Sequence, residues 1–124
     1  MTTVTALDRI LALTDIDAVA IRNVPNTLAV FDTHFPRFPV LPGVMLLASM
    51  AELASIMLAH GTGRPWSLAA AENVRYRHFV RPGDQVTITA TVREVSDHLA
   101  RVAATATVDG TTVATARALV LEAP

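Results

Sequence analysis

The stretch His34-Phe35-Pro36-Arg37-Phe38-Pro39-Val40-Leu41-Pro42-Gly43-Val44 runs directly into Met45-Leu46-Leu47-Ala48-Ser49-Met50-Ala51-Glu52-Leu53-Ala54-Ser55-Ile56-Met57-Leu58, and its reading decides the fold of this chain. Pro36, Pro39 and Pro42 fix φ and remove backbone donors, so the first half is a stiff loop that holds its shape without a hydrogen-bond ladder. From Gly43 to about Ala59 nearly every residue is apolar or small, with Ser49, Glu52 and Ser55 the exceptions. A helix apolar all round is a buried one. At about 1.5 Å per residue it spans some 25 Å, enough to cross the core of a small domain, and Gly61-Thr62-Gly63 ends it. Pro42 suits a helix start, and Gly43 lets another group approach the unpaired N–H groups of the first turn closely. His34 therefore stands just ahead of a helix mouth, as in an active-site loop facing a small oxyanion site.

Upstream, Leu7, Ile10, Leu11 and Leu13 have roughly helical spacing and predict a short amphipathic helix from about Val4 to Leu13. Val19 to Val24 and Thr27 to Asp32 read as two short strands around Asn23, Pro25 and Asn26. Downstream the period changes to two. Val86, Ile88, Ala90 and Val92 alternate with Thr87, Thr89, Thr91 and Arg93, a half-buried strand. Further strands are expected over Ser67 to Tyr76, Leu99 to Val108 and Thr111 to Leu121. Asp109-Gly110 is a hairpin signal, and Arg81-Pro82-Gly83-Asp84 and Ser96-Asp97-His98 are looser connections. One long apolar helix plus an antiparallel meander requires the sheet to wrap the helix, since neither buries its apolar surface alone.

With 124 residues, 52% of them hydrophobic, the chain is expected to form one domain over 1–124. A net charge of -1 supplies no bulk basic field for nucleic acid. The lack of cysteine excludes disulfides, thiolate nucleophiles and cysteine-ligated zinc. There is no basic region followed by an apolar signal core at the N-terminus and no run of 18 apolar residues, so a soluble cytoplasmic protein without membrane partner is the expectation. His60 near the helix end complements the dipole. His78 and His98 lie by turns with no second ligand at a metal-binding spacing, and neither metal nor cofactor is expected.

The loop and helix His34-Phe35-Pro36 … Pro39-Val40-Leu41-Pro42-Gly43-Val44 … Met50-Ala51, with Val80-Arg81-Pro82-Gly83-Asp84-Gln85-Val86 and Ala106-Thr107-Val108-Asp109-Gly110 downstream, resembles the 3-hydroxyacyl-acyl-carrier-protein dehydratases. The similarity runs from about Ile21 onward. It implies the hotdog fold of class α+β, an antiparallel sheet wrapped around one long central helix. It also implies dimers or larger assemblies, with the two long helices side by side and the sites shared between subunits. The reaction needs a base for the α-proton, an acid for the departing hydroxyl and a donor to the thioester oxygen. The resemblance makes His34 the base; the backbone N–H of Gly43, at the positive end of the helix dipole, is the donor.

The acid departs from the family pattern. It belongs fourteen positions after the histidine, where this chain has Ala48, and no proton can come from a methyl group. Glu52 lies on the same helical face about 6 Å deeper, where the family often carries glutamine. It is the candidate replacement acid; the competing account is a buried acid bonded to backbone or to an arginine across the dimer. The family's Leu-Pro-His-Arg-Tyr-Pro-Phe type of segment before the first strands is also lacking. Phe35, Val44, Tyr76 and Phe79 are the expected acyl-binding residues, with core packing the competing role for Tyr76 and Phe79. Arg75, Arg77 and Arg81 form a small basic group that would receive an acidic carrier protein or be a solvated strand face. Met45, Met50 and Met57 fill the core or soften an acyl tunnel.

Three functions compete. The first is dehydration of a 3-hydroxyacyl thioester on acyl carrier protein to the trans-2-enoyl product in fatty-acid or polyketide synthesis. The chain would act as a homodimer, or as a heterodimer whose homologous subunit supplies the acid missing at Ala48. The second is a hotdog thioesterase using Glu52. The third is a non-catalytic partner of an active dehydratase.

Overall fold

Alternation of apolar and polar side chains builds the sheet. The structure, a computed structural model, describes residues 6–25 and 40–124. His34, Phe35 and the expected strand Thr27–Asp32 lie outside the described residues. The described elements are β1 (Arg9–Leu13), β2 (Asp17–Asn23), α1 (Gly43–Thr62), β3 (Ser67–Tyr76), β4 (Gln85–Val95), β5 (Leu99–Val108) and β6 (Thr111–Glu122). The strands form one antiparallel sheet in the order β1-β2-β4-β5-β6-β3. The helix, which intervenes between β2 and β3 in sequence, packs across the inner face of the sheet.

The inner face is made of small and medium side chains in register. Ala90 opposes Ala104, which opposes Ala116 on β6. These alanines let the sheet curve closely onto α1, whose Met50, Leu53 and Met57 are fully buried against Ile88, Val102 and Leu119. By length and composition alone α1 could cross a membrane; here it is the core helix. Gly63, at φ 74°, terminates it through an N–H bond of 2.8 Å to the Ala59 carbonyl. Asp109 and Gly110, both with positive φ, make the tight β5–β6 turn.

Two expectations are corrected. The amphipathic helix from Val4 to Leu13 is instead strand β1 over Arg9–Leu13. A short apolar run such as Ile10-Leu11-Ala12-Leu13 fits either period, and pairing decides it. Thr14 accepts the Asp17 N–H on its Oγ1 at 2.9 Å and donates its own N–H to the Asp17 carbonyl at 2.8 Å. That turn brings Ile10 opposite Ala20 on β2. Second, α1 is apolar all round but not buried all round. The sheet covers only the side carrying Leu46, Met50, Leu53, Ala54, Met57 and Leu58, while Val44, at 68% exposed, and Ala48 face outward.

Removing a fully buried side chain from the helix leaves a cavity that the curved sheet fills only in part. Leu53→Ala is expected to lower unfolding free energy by about 2–5 kcal/mol, read as a lower urea midpoint at unchanged slope. An unchanged midpoint would mean that α1 is not the centre of the core.

Candidate active site

The first turn of α1 is anchored from below. Leu41 donates its N–H to the Val80 carbonyl at 2.7 Å, so the segment leading into the helix pairs with the chain just after β3. Pro42 is the N-cap, extended at ψ 141°, and offers no side-chain cap; no acidic residue occupies the first turn. Met45 donates to the Pro42 carbonyl at 3.0 Å. The N–H groups of Gly43 and Val44 have no acceptor among the described residues, leaving two donors at the positive end of the helix dipole.

Tyr76 closes this mouth from the sheet side. A Cβ placed on Gly43 would stand 2.7 Å from Tyr76 Cζ and 2.8 Å from Cε1. Only glycine lets the helix start lie this close to the ring. Burial pushes the Tyr76 phenol above its ordinary range, so it stays a neutral O–H donor at neutral pH. Together Gly43, Val44, Tyr76 and Phe79 border a cavity of about 470 Å³, with Val40, Leu41 and Leu46 forming its apolar wall. Four expected site residues thus meet in one place. His78, which the spacing of ligands had only excluded from metal binding, lines the same cavity. Its sequence signal was its place between Tyr76 and Phe79 beyond the end of β3.

No carboxylate lines this cavity among the described residues. Glu52 is nine positions beyond Gly43, about 13 Å further along the axis. It is bonded to backbone, as the competing account expected, and lies beside a Ser49–Arg22 pair that sequence reasoning missed. Glu52 Oε2 accepts the Ala6 N–H at 2.5 Å. Ser49, fully buried, donates its hydroxyl to the Ala6 carbonyl at 2.7 Å and accepts from Arg22 Nη1 at 2.9 Å. Arg22, 8% exposed, also donates to the Met45 carbonyl at 3.1 Å. Burial lowers the Arg22 pKa, and the Asp8 and Glu52 carboxylates oppose that shift. The cluster pins the segment before β1 onto α1. A legible signal existed: Ser49 and Glu52 are the polar residues of an otherwise apolar helical run, and Arg22 interrupts an apolar strand.

The basic group splits. Arg75 and Arg77 lie in a trough on the outer face of the sheet, whereas Arg81 starts the Arg81-Pro82-Gly83-Asp84 turn, its N–H bonded to Asp84 Oδ2 at 2.9 Å. Gly83, at φ 93°, allows that turn, and its N–H bonds the Val24 carbonyl at 2.7 Å. His60 faces Asp15 at 3.6 Å. Among the described residues no group of three metal-binding side chains occurs.

Residues 13–116 match the ApeI-like family model, described as ApeI dehydratase. The chain is 37% identical over 117 residues to 3-hydroxyacyl-acyl-carrier-protein dehydratase FabZ of Solibacter usitatus, covering 91% of this chain and 72% of that protein. It is 36% identical over 107 residues to the enzyme of the same name from Streptococcus mutans, covering 84% and 76%. Among solved structures, the dehydratase heterocomplex ApeI:P from Xenorhabdus doucetiae superposes with a TM-score of 0.75 at 17% identity, over 97% of this chain and 83% of that one. An acetyl-CoA-bound protein of Streptococcus mutans superposes at 0.78 and 12% identity, over 94% and 87%. These structural likenesses establish the hotdog fold, and the sequence matches go further: the chain belongs to the ApeI-like dehydratase family and is a relative of the FabZ dehydratases.

Proposed function

We propose that this chain removes water from 3-hydroxyacyl groups borne on acyl carrier protein, and that a homologous hotdog subunit set against Ala48 supplies the acid. His34 takes the α-proton. The electron pair left on Cα forms the Cα–Cβ double bond as the Cβ–O bond breaks, and the partner's carboxylic acid protonates the departing hydroxyl to water. The Gly43 N–H donates to the thioester oxygen while enolate character develops. The product is the trans-2-enoyl thioester.

The observation that carries this reading is the mismatch at the helix. Among the described residues the mouth of α1 has uncapped donors and an apolar wall but no carboxylate, while the one carboxyl residue of the helix, Glu52, is engaged by Ala6. Ala48 is exposed one turn beyond Val44, on the helix face left open by the sheet. Among the described residues the edge strand β3 has pairing on one side only, from β6. An open helix face and an open strand edge are the surfaces a second hotdog subunit would cover. The acyl carrier as substrate is supported by the names of the FabZ relatives, and the two-subunit assembly by the heterocomplex from Xenorhabdus doucetiae.

Turnover of a 3-hydroxyacyl carrier protein, followed by mass spectrometry for loss of one water, tests this. Ala48→Glu should raise the activity of the chain alone by a factor on the order of 10², since a positioned acid contributes about 10²–10⁴. No gain in a folded variant would overturn the placement of the acid at that position. His34→Ala should lose about 10²–10⁴ in the same assay with the acid-bearing variant. Glu52→Gln should keep that activity, because its amide oxygen still accepts from Ala6; a loss equal to that of His34→Ala would make Glu52 the acid. Release of free acid and thiol would mean hydrolysis instead.

Gly43→Ala should drive the Tyr76 ring off the helix mouth and lower kcat/KM on the order of 10²-fold. Adding Tyr76→Ala should recover part of the loss by relieving the clash. Full activity of Gly43→Ala alone would show that the close approach is not needed.

A further inference from the structure

Resting on the dehydratase reading, we propose that the carrier protein docks on the outer face of the sheet in an arginine-lined trough, and that its prosthetic arm passes round the end of β3 into the helix-mouth cavity. The trough, about 940 Å³, spans β4, β5, β6 and β3. Three interstrand spacings separate its rims by about 14 Å, which accommodates one α-helix of about 10–12 Å diameter. The floor is small: Ala103, and Thr105 opposite Thr115. The rims are cationic, with Arg93 on β4, Arg75 on β3 and Arg77 just past its end, and Arg117 rises from β6.

Charge selects the occupant. Five arginines and two glutamates line the trough. One glutamate, Glu72, is held by Arg101 at 2.7 Å. Among the described residues no carboxylate forms an ion pair with Arg75, Arg77, Arg93 or Arg117. The whole chain has a net charge of -1, so the positive field belongs to this face. A second copy presenting the same face would be repelled, whereas an acidic helix laid between the rims meets guanidinium groups on both sides. Guanidinium forks also suit the phosphate of a prosthetic arm.

The route to the chemistry is continuous. Arg77 borders both the trough and a smaller depression of about 340 Å³, and Tyr76, His78 and Phe79 border both that depression and the cavity at Gly43. Strand alternation turns Arg75 and Arg77 outward and Tyr76 inward. The arm would therefore cross only the end of one strand between docking surface and cavity. Arg81, in its turn, lies off this path, so the basic group is redrawn to include Arg93 and Arg117.

The test is binding of purified holo-acyl carrier protein to the full chain by calorimetry, with turnover of carrier-borne and N-acetylcysteamine 3-hydroxyacyl thioesters by its acid-bearing Ala48→Glu form measured beside it, the arginine substitutions being made in both. Arg93→Glu with Arg117→Glu should weaken carrier binding at least tenfold and raise KM for the carrier-borne substrate to match, with turnover of the small thioester unchanged. Raising salt should shrink the difference. Arg9→Glu, the same charge change on β1, should alter neither. If the double variant does not fold, Arg117→Gln alone should weaken carrier binding by a smaller factor. Unchanged carrier affinity in a folded variant overturns the proposal, as does equal binding of a DNA duplex, which would make the face a general polyanion surface. Charge-sensitive carrier binding without dehydration of either thioester would leave the docking surface standing and sink the dehydratase reading.

Discussion

The site depends on one steric constraint, the contact between the Tyr76 ring and the backbone of Gly43. A helix can start this close to a sheet residue only where no Cβ intervenes: at 2.7 Å from Tyr76 Cζ, a Cβ on residue 43 would force the ring to move. The contact joins the two halves of the fold. On one side stands the long core helix with its uncapped N–H groups; on the other, the end of β3, which also carries Phe79 and His78 to the cavity. Leu41 bonding Val80 fixes the same junction through the backbone. Because a glycine flanked by proline holds the first turn, the donors there are both exposed to the cavity and rigid, which is what stabilising a developing oxyanion requires.

A second constraint works from the opposite side of α1. Arg22, Ser49 and Glu52 are unusual occupants of a helix–sheet interface, and burying a guanidinium is costly unless its donors are satisfied. Here Met45 and Ser49 satisfy it, and Ser49 and Glu52 in turn hold the two backbone groups of Ala6. The bonds of Ser49 and Glu52 to the Ala6 carbonyl and N–H make the cluster a clamp on the segment before β1. The Glu52 carboxylate accepts the Ala6 N–H on Oε2 and is about 13 Å along the axis from the helix mouth. These two facts separate Glu52 from the cavity more firmly than its place in sequence suggests.

Much of this architecture was legible from residue order. Ser67–Tyr76 was readable as β3, and the Thr/Val alternation of residues 86–93 marked β4, because a half-buried strand writes its two faces directly into its spacing. Gly43, Val44, Tyr76 and Phe79 were readable as neighbours only through family resemblance, since their meeting depends on a crossing of α1 and β3 that no local pattern encodes. The strand β1 was misread because Ile10 to Leu13 is too short for its period to discriminate, and the deciding factor was pairing with a strand some ten residues away. The open face of α1 was hidden for a different reason. An apolar residue on an open helix face and one facing the core look alike in sequence, so Val44 and Leu46 carry the same signal while one is exposed and the other buried.

The end of β3 shows how a period of two divides labour within one strand. Tyr76 points inward, where its ring shapes the helix mouth; Arg75 and Arg77 point outward, into the cationic trough. The two sets share a backbone and meet only at the depression that Arg77 borders with Tyr76, His78 and Phe79. On the inward side the Tyr76 ring, still half exposed, rests against Gly43. Outward residues sit over Ala103, Thr105 and Thr115, where long cationic side chains meet little steric demand. A one-residue slip in the pairing of β3 with β6 would exchange the two sets at once, placing a guanidinium against Gly43 and a phenol in the trough. The register Tyr76↔Ala114 and Arg75↔Thr115 is therefore the point at which fold, chemistry and recognition are all fixed together.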